Sequence, residues 1–149
     1  MNNILEQAQA IKNDIVEYRR TIHENPEVGD TLPKTKAYVM DKLRELGYEP
    51  KEICESGIVA TIEGPKPGKT FLLRADMDAL PMKEETSCDF KSTNGCMHSC
   101  GHDMHTAMLL GAAKLLKQNQ SQIEGTIKLV FQPDEEGFTG AKKMIAAGI

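Results

Sequence analysis

Residues 126–136, Thr-Ile-Lys-Leu-Val-Phe-Gln-Pro-Asp-Glu-Glu, join an apolar, partly β-branched run directly to a group of carboxylates. The run has the composition of a buried strand, and Pro133 ends it. Residues 70–78, Thr-Phe-Leu-Leu-Arg-Ala-Asp-Met-Asp, repeat the arrangement, because this strand leads into Asp76 and Asp78. In α/β sheets, reactive groups lie beyond the carboxyl ends of the strands. We therefore expect both acidic groups at such a position.

Residues 97–105, Met-His-Ser-Cys-Gly-His-Asp-Met-His, form a third polar cluster at the amino end of a helix predicted from Asp103 to Leu116. Thiolate and imidazole suit borderline metals such as zinc, and carboxylates suit harder ones. A mixture of all three beside a spare carboxylate is typical of a hydrolytic metal site. The cluster therefore predicts a site for a divalent metal.

There are two alternatives. The histidines could be core or surface groups that bind no metal, or the segment could be a structural zinc knot, because Cys96 and Cys100 lie close together in the sequence. Such knots pair one closely spaced cysteine pair with a second pair downstream. No cysteine follows Cys100, and no histidine follows His105. Carboxylates must therefore complete the site, which favours a catalytic metal site over a structural one.

The hydrophobic pattern alternates helices with strands. Apolar residues at three- and four-residue spacing predict one amphipathic helix over residues 3–24 and a second from Pro33 to a glycine cap at Gly47. The further predicted elements are strands at 58–62 and 70–75 joined by a turn region at 64–68, the 103–116 helix, a strand at 126–131 and a helix from 140 to 147. The 103–116 helix is apolar almost all round and is expected in the interior. This alternation predicts an α/β fold.

Composition is that of an ordinary globular protein. The chain has 149 residues, of which 40% are apolar and 27% charged, and its formal net charge is −4. Basic residues form only short pairs such as Arg19-Arg20, so binding to nucleic acid or to a membrane surface has little electrostatic support. No run approaches the roughly 18 apolar residues of a membrane span, and the N-terminus has no apolar signal region. We therefore expect a cytoplasmic protein whose four cysteines are reduced.

Four blocks of the sequence together resemble a known family. They are residues 19–27 (RRTIHENPE), 73–81 (LRADMDALP), 98–107 (HSCGHDMHTA) and 131–136 (FQPDEE). These blocks are similar, in the same order, to those of the aminoacylase and carboxypeptidase-type metallohydrolases. The branch they resemble contains N-acyl-amino-acid amidohydrolases, hippurate hydrolases and hydrolases of auxin–amino acid conjugates.

The resemblance implies a metallopeptidase-like catalytic domain with a mixed central sheet flanked by helices. It also implies two divalent metal ions, Zn²⁺ or Mn²⁺, in each complete site. Carried over residue by residue, it makes Cys100, His102 and Glu136 metal ligands. Glu135 becomes the carboxylate that activates the metal-bound water. From the residues alone, either of the two consecutive glutamates could be the base and the other the ligand.

Three further residues resemble supporting groups of such a site. Asp76 and Asp78 correspond to a neighbouring acidic pair, and His105 to a residue behind the ligands. The alternative for the two aspartates is simple capping of a turn or helix.

The resemblance also implies a longer protein. Chains of the family are more than twice this length, and their later sequence supplies two further histidine ligands and a lid and dimerisation domain. Residues 1–149 are therefore expected to be the N-terminal portion of the catalytic domain. The implied activity is metal-dependent hydrolysis of the amide bond of N-acyl amino acids or small peptides, by a full-length homo-oligomer. The isolated chain is expected to be inactive. The alternative is a non-catalytic metal-binding or interaction module.

Overall fold

The computed structural model describes residues 3–149 and has an α/β architecture. The elements in chain order are α1 (Ile4–Ala10), α2 (Lys12–His23), α3 (Pro33–Glu45), β1 (Lys51–Ile53), β2 (Gly57–Glu63), β3 (Lys66–Asp76), α4 (His102–Gln118), a 3₁₀ turn (Gln120–Gln122), β4 (Glu124–Gln132) and α5 (Gly140–Ala146). Within residues 3–149, no helix combines the length and apolarity needed to cross a membrane.

The four strands form one mixed sheet in the order β1-β2-β4-β3. β4 is antiparallel to β2 and parallel to β3, so it lies between two strands that are neighbours in the chain. The parallel register pairs Asp76 with Gln132. Because of this pairing, the carboxyl ends of β3 and β4 meet at the same edge, and the acidic residues that follow each strand come together. The predicted mixed sheet flanked by helices is confirmed.

The predicted helix over residues 3–24 is interrupted. The backbone leaves helical geometry at Ile11, with φ −96° and ψ 10°, although the Ile11 and Ile15 N–H groups still donate to Gln7 and Ile11 carbonyls. Both isoleucines pack against α4 at Gly111, where an added Cβ would lie 2.8 Å from Ile15 Cδ1 and 3.8 Å from Ile11 Cδ1. The bend at Ile11 therefore accompanies close packing on α4, which a periodicity argument does not detect.

The second helix begins and ends as predicted. Pro33 is its first residue, and Gly47 follows it with φ 82°, the left-handed conformation that glycine adopts without strain. The free N–H groups of Lys34 and Thr35 donate to the two carboxylate oxygens of Glu27, at 3.1 and 2.8 Å. A carboxylate from outside the helix thus accepts hydrogen bonds from two backbone N–H groups of the first turn, which have no partner within the helix.

Helix α4 packs on the sheet through one face. Ala107, Leu110 and Ala113 are buried there, and the Tyr48 hydroxyl donates to the Ala113 carbonyl at 2.8 Å. Met104 and Met108 are 48% and 57% exposed, so the prediction of a helix buried on every side is wrong for this face. For Met108 the physical reason is that β3 is an edge strand, and within residues 3–149 no element covers the groove between it and α4. Met104 borders a different cavity, which Phe90 and His98 also line.

Candidate metal centre

The turn before α4 presents Cys100 and His102 at the helix amino end. Gly101 lies between them with φ 84°, a left-handed conformation that costs glycine little. His102 is the first residue of α4 and is buried, whereas Cys100 is exposed. The sharp turn at Gly101 lets the Cys100 thiol and the His102 imidazole, two positions apart, approach one point.

Asp78 joins the two acidic segments at the edge of the sheet. The ladder between β3 and β4 continues one residue beyond Asp76, where the Met77 N–H donates to the Gln132 carbonyl at 2.8 Å. Asp78, which is 1% exposed, then accepts the N–H of Glu135 on Oδ1 and the N–H of Glu136 on Oδ2, each at 3.0 Å. One buried carboxylate therefore fixes the backbone of both glutamates.

Asp78 also fixes His102. The Nδ1 atom of His102 lies 2.8 Å from the Asp78 carbonyl oxygen and 3.5 Å from its Oδ1. The Asp78 carboxylate raises the pKa of His102 to about 9 in the absence of metal. Burial alone raises the pKa of Asp78, but the hydrogen bonds from His102 and the two backbone N–H groups outweigh it, so this pKa lies below its ordinary value. With Nδ1 occupied, Nε2 is the ring nitrogen that can take a metal.

Three donor atoms converge at this edge. The Sγ of Cys100, a ring nitrogen of His102 and a carboxylate oxygen of Glu136 all lie within 4.8 Å of one another. The Glu136 carboxylate raises the pKa of the neighbouring Cys100 thiol. Glu136 Oε1 is buried and has no hydrogen-bond partner among the described residues. A thiol, an imidazole and an orphaned carboxylate oxygen fit a borderline divalent ion.

The remaining predicted residues surround these three. The Glu135 side chain is 38% exposed, and its Oε2 lies 3.7 Å from His102 Nε2. Asp76 contacts a different histidine: its Oδ2 is 3.4 Å from Nδ1 of the exposed His105. Asp76, His102 and His105 form a second group with donor atoms within 4.8 Å. All seven predicted residues thus lie at one edge of the sheet, and Asp78 both caps a turn and contacts His102.

The sequence pattern does not predict a role for a buried ionic network behind the helix. Asp103 follows His102, and its Oδ2 lies 2.9 Å from Arg19 Nε and 2.8 Å from His23 Nδ1. The other nitrogen of His23 lies 3.0 Å from Glu84 Oε1. His23 stands in one of the four blocks quoted above, and this is the signal that could have indicated it.

Comparison with known proteins identifies the family. The model of "Peptidase family M20/M25/M40" matches residues 72–149, which is more than half of the chain. The chain belongs to this peptidase family. The family segment includes the carboxyl end of β3, the turn before α4 and the acidic residues after β4, so every residue of the candidate centre lies within it.

Individual relatives within the family cover almost all of this chain. "Thermostable carboxypeptidase 2" of Saccharolobus solfataricus is 49% identical over 153 residues, which cover 95% of this chain and 39% of the relative. "N-acyl-L-amino acid amidohydrolase" of Geobacillus stearothermophilus is 42% identical over 142 residues, which cover 93% of this chain and 38% of the relative. The family resemblance inferred from the four sequence blocks is confirmed.

A solved structure gives the same fold. The Bacillus subtilis YXEP protein, described as a dinuclear metal-binding peptidase of the M20 family, superposes with a TM-score of 0.90 at 38% identity. The match covers 94% of this chain and 40% of that one. The chain therefore spans about two fifths of the length of the relatives it matches.

Proposed function

We propose that this chain contributes the first metal ligands and the general base of a hydrolase that cleaves the amide bond of N-acyl amino acids or small peptides. The observation that carries the proposal is the convergence of Cys100, His102 and Glu136 donor atoms within 4.8 Å, with the half-exposed Glu135 beside them. The names of the relatives support the substrate class, since one is a carboxypeptidase and another an N-acyl-amino-acid amidohydrolase.

Cys100, His102 and Glu136 would hold a divalent ion, Zn²⁺ or Mn²⁺, and the dinuclear description of the B. subtilis relative supports two such ions in a complete site. A bound ion polarises the amide carbonyl and lowers the pKa of water. The His102 Nδ1 contact with the Asp78 carbonyl leaves Nε2 free as ligand. Glu136 is the better ligand of the two glutamates, because one of its oxygens is buried without a partner.

Glu135 is suited to proton transfer. Its side chain is partly open to solvent and lies 3.7 Å from His102 Nε2, so it borders the ligands without being enclosed by them. An ionised carboxylate at this position accepts a proton from the attacking water and returns it to the departing amine. Asp78 holds the Glu135 backbone in place, and Asp76 with His105 supports the ligands from the opposite side.

The activity is proposed for a larger catalytic domain, of which residues 1–149 form the N-terminal portion. The relatives are much longer than this chain, and the donor cluster contains three ligands where a two-ion site needs more. A non-catalytic metal-binding module is the second candidate, and the exposure of Cys100 and of the groove beside β3 favours it for the isolated chain. Homo-oligomerisation of the full-length protein and a cytoplasmic location stay predictions from the sequence.

Metal titration together with an amidase assay separates the two candidates. Zinc and manganese binding is measured on this chain and on a longer form that includes following sequence, and release of free amino acid from N-acetyl amino acids is measured on both. A hydrolase domain requires metal-dependent release by the longer form. Metal binding by both forms without release by either would leave only the binding module.

A further inference from the structure

A second cluster of donor groups lies behind the first turn of α4, away from the candidate centre. His23, at the end of α2, lies between two carboxylates, with Nδ1 2.8 Å from Asp103 Oδ2 and Nε2 3.0 Å from Glu84 Oε1. These three side chains are at most 4% exposed. Arg19 Nε donates to the same Asp103 oxygen at 2.9 Å, and so balances the charge of that carboxylate.

Either a proton or a metal ion can lie between His23 and Glu84. Asp103 is a hydrogen-bond acceptor, so His23 donates its Nδ1 proton to it. Nε2 then faces the carboxylate oxygen of Glu84. Two acceptors meet at this distance only with a proton or a metal ion between them. A histidine whose second nitrogen donates to a carboxylate is the usual arrangement of a metal-bound histidine.

Cys88 supplies a third donor at the same point. Its Sγ lies 3.7 Å from Glu84 Oε1, and the donor atoms of His23, Glu84 and Cys88 all lie within 4.8 Å of one another. Ligands of a tetrahedral zinc ion, at about 2.0 to 2.3 Å from the metal, are about 3.3 to 3.8 Å apart. Glu84 is itself oriented by Thr86 Oγ1 at 2.5 Å and by the Ser92 N–H at 2.6 Å.

His98 is an independent indication of a ligand here. It is 4% exposed, and neither of its ring nitrogens has a hydrogen-bond partner among the described residues. It lines one cavity of about 350 Å³ together with His23, Glu84 and Cys88. Its ring centroid lies 6.4 Å from that of His23. A buried imidazole without partners is costly unless something in the cavity binds it.

We propose that His23, Glu84 and Cys88 form a second metal site for zinc or a similar borderline divalent ion, in the cavity that the unpartnered His98 also lines. The thiolate and the carboxylate neutralise the two charges of such an ion, and Asp103 is already balanced by Arg19. The Phe90 ring lies nearly perpendicular to the His23 ring, at a centroid distance of 5.4 Å, and lines the same cavity. The bound ion would tie the loop that carries Glu84 and Cys88 to the end of α2.

The test uses the Cys100→Ser/His102→Gln chain, which loses a donor from both groups at the candidate centre, so that failure of the proposed function does not affect the result. Cobalt(II) is the probe, because thiolate coordination gives a near-ultraviolet charge-transfer band. We expect about one Co²⁺ per chain with this band. Adding Cys88→Ser should remove the band and weaken Co²⁺ binding at least tenfold, whereas the matched control Cys54→Ser should leave both unchanged.

A second measurement needs no change at Cys88. In the same background, zinc should slow alkylation of Cys88 by iodoacetamide at least tenfold, with Cys54 as internal reference in the same mass spectrum. An unchanged alkylation rate for Cys88, or a cobalt band that persists in a folded Cys88→Ser variant, would show that only a proton lies between His23 and Glu84. Either result overturns the proposal.

Discussion

Replacing Asp78 by asparagine tests whether one carboxylate organises the candidate centre. The change keeps the size of the side chain and leaves the backbone carbonyl that contacts His102 in place. It alters the two oxygens that accept the N–H groups of Glu135 and Glu136, each at 3.0 Å, and removes the negative charge that faces His102. In the variant, one oxygen becomes an NH₂ group, which faces an N–H donor.

The magnitude follows from these contacts. One charge-assisted hydrogen bond is lost, at a cost of about 1.5 to 3 kcal/mol, and the other becomes a weaker neutral bond. Asp78 is 1% exposed, so water does not compensate for the donor that is left unpaired. We expect the free energy of unfolding to fall by about 2 to 4 kcal/mol without metal, and metal affinity to fall about 10- to 100-fold because the ligand positions loosen.

Urea unfolding in the presence of a chelator measures the first effect, and calorimetric zinc titration measures the second. The matched control is Asp30→Asn, which removes a solvent-exposed ion pair with Lys143 and should cost at most about 1 kcal/mol. The reasoning is refuted if metal-free Asp78→Asn unfolds within about 0.5 kcal/mol of the parent chain, since its two hydrogen bonds would then contribute nothing.

Three further predictions concern the ligands, the base and the core. Cys100→Ser should weaken zinc or manganese binding at least tenfold in a titration, and Cys96→Ser should change it little; equal binding by both variants would contradict the ligand assignment. In a longer form that shows the proposed hydrolysis, Glu135→Gln should keep its metal content and lose roughly 10²- to 10⁴-fold in turnover, while Glu136→Gln should lose metal; exchanged phenotypes would reverse the two roles. Tyr48→Phe should lower the free energy of unfolding in urea by about 0.5 to 1.5 kcal/mol, because the buried hydroxyl loses its bond to α4, and an unchanged midpoint would show that this bond is not stabilising.

The strands and their acidic ends could be predicted because each signal is local. Residues 126–136 contain both the apolar run and the carboxylates that follow it, and residues 70–78 do the same. No single segment of the sequence predicts that β4 lies between β2 and β3. It depends on which strands pair, and the apolar pattern of a strand specifies burial rather than partner. Phe71 illustrates the limit, because an apolar side chain in β3 is 61% exposed at the sheet edge.

His23 stands in one of the four sequence blocks, but its partners in the buried network could not be predicted, for a related reason. His23 contacts Asp103 across 80 positions of the sequence and Glu84 across 61. Pairs at such separations leave no periodic pattern, so a single histidine at the end of a helix is indistinguishable from a capping group. Cys100 and His102 could be predicted as a pair of ligands because both lie in the same short segment of the sequence.

The first turn of α4 connects the two clusters. His102 and Asp103 are consecutive, and successive residues of a helix point about 100° apart, so one side chain faces the sheet edge while the other faces α2. Asp78 therefore holds this turn from one side, and His23 with Arg19 holds it from the other. Because both contacts are buried, displacement on either side must move the helix backbone that carries His102. The geometry of the candidate centre thus depends on a histidine and an arginine that are not among its ligands.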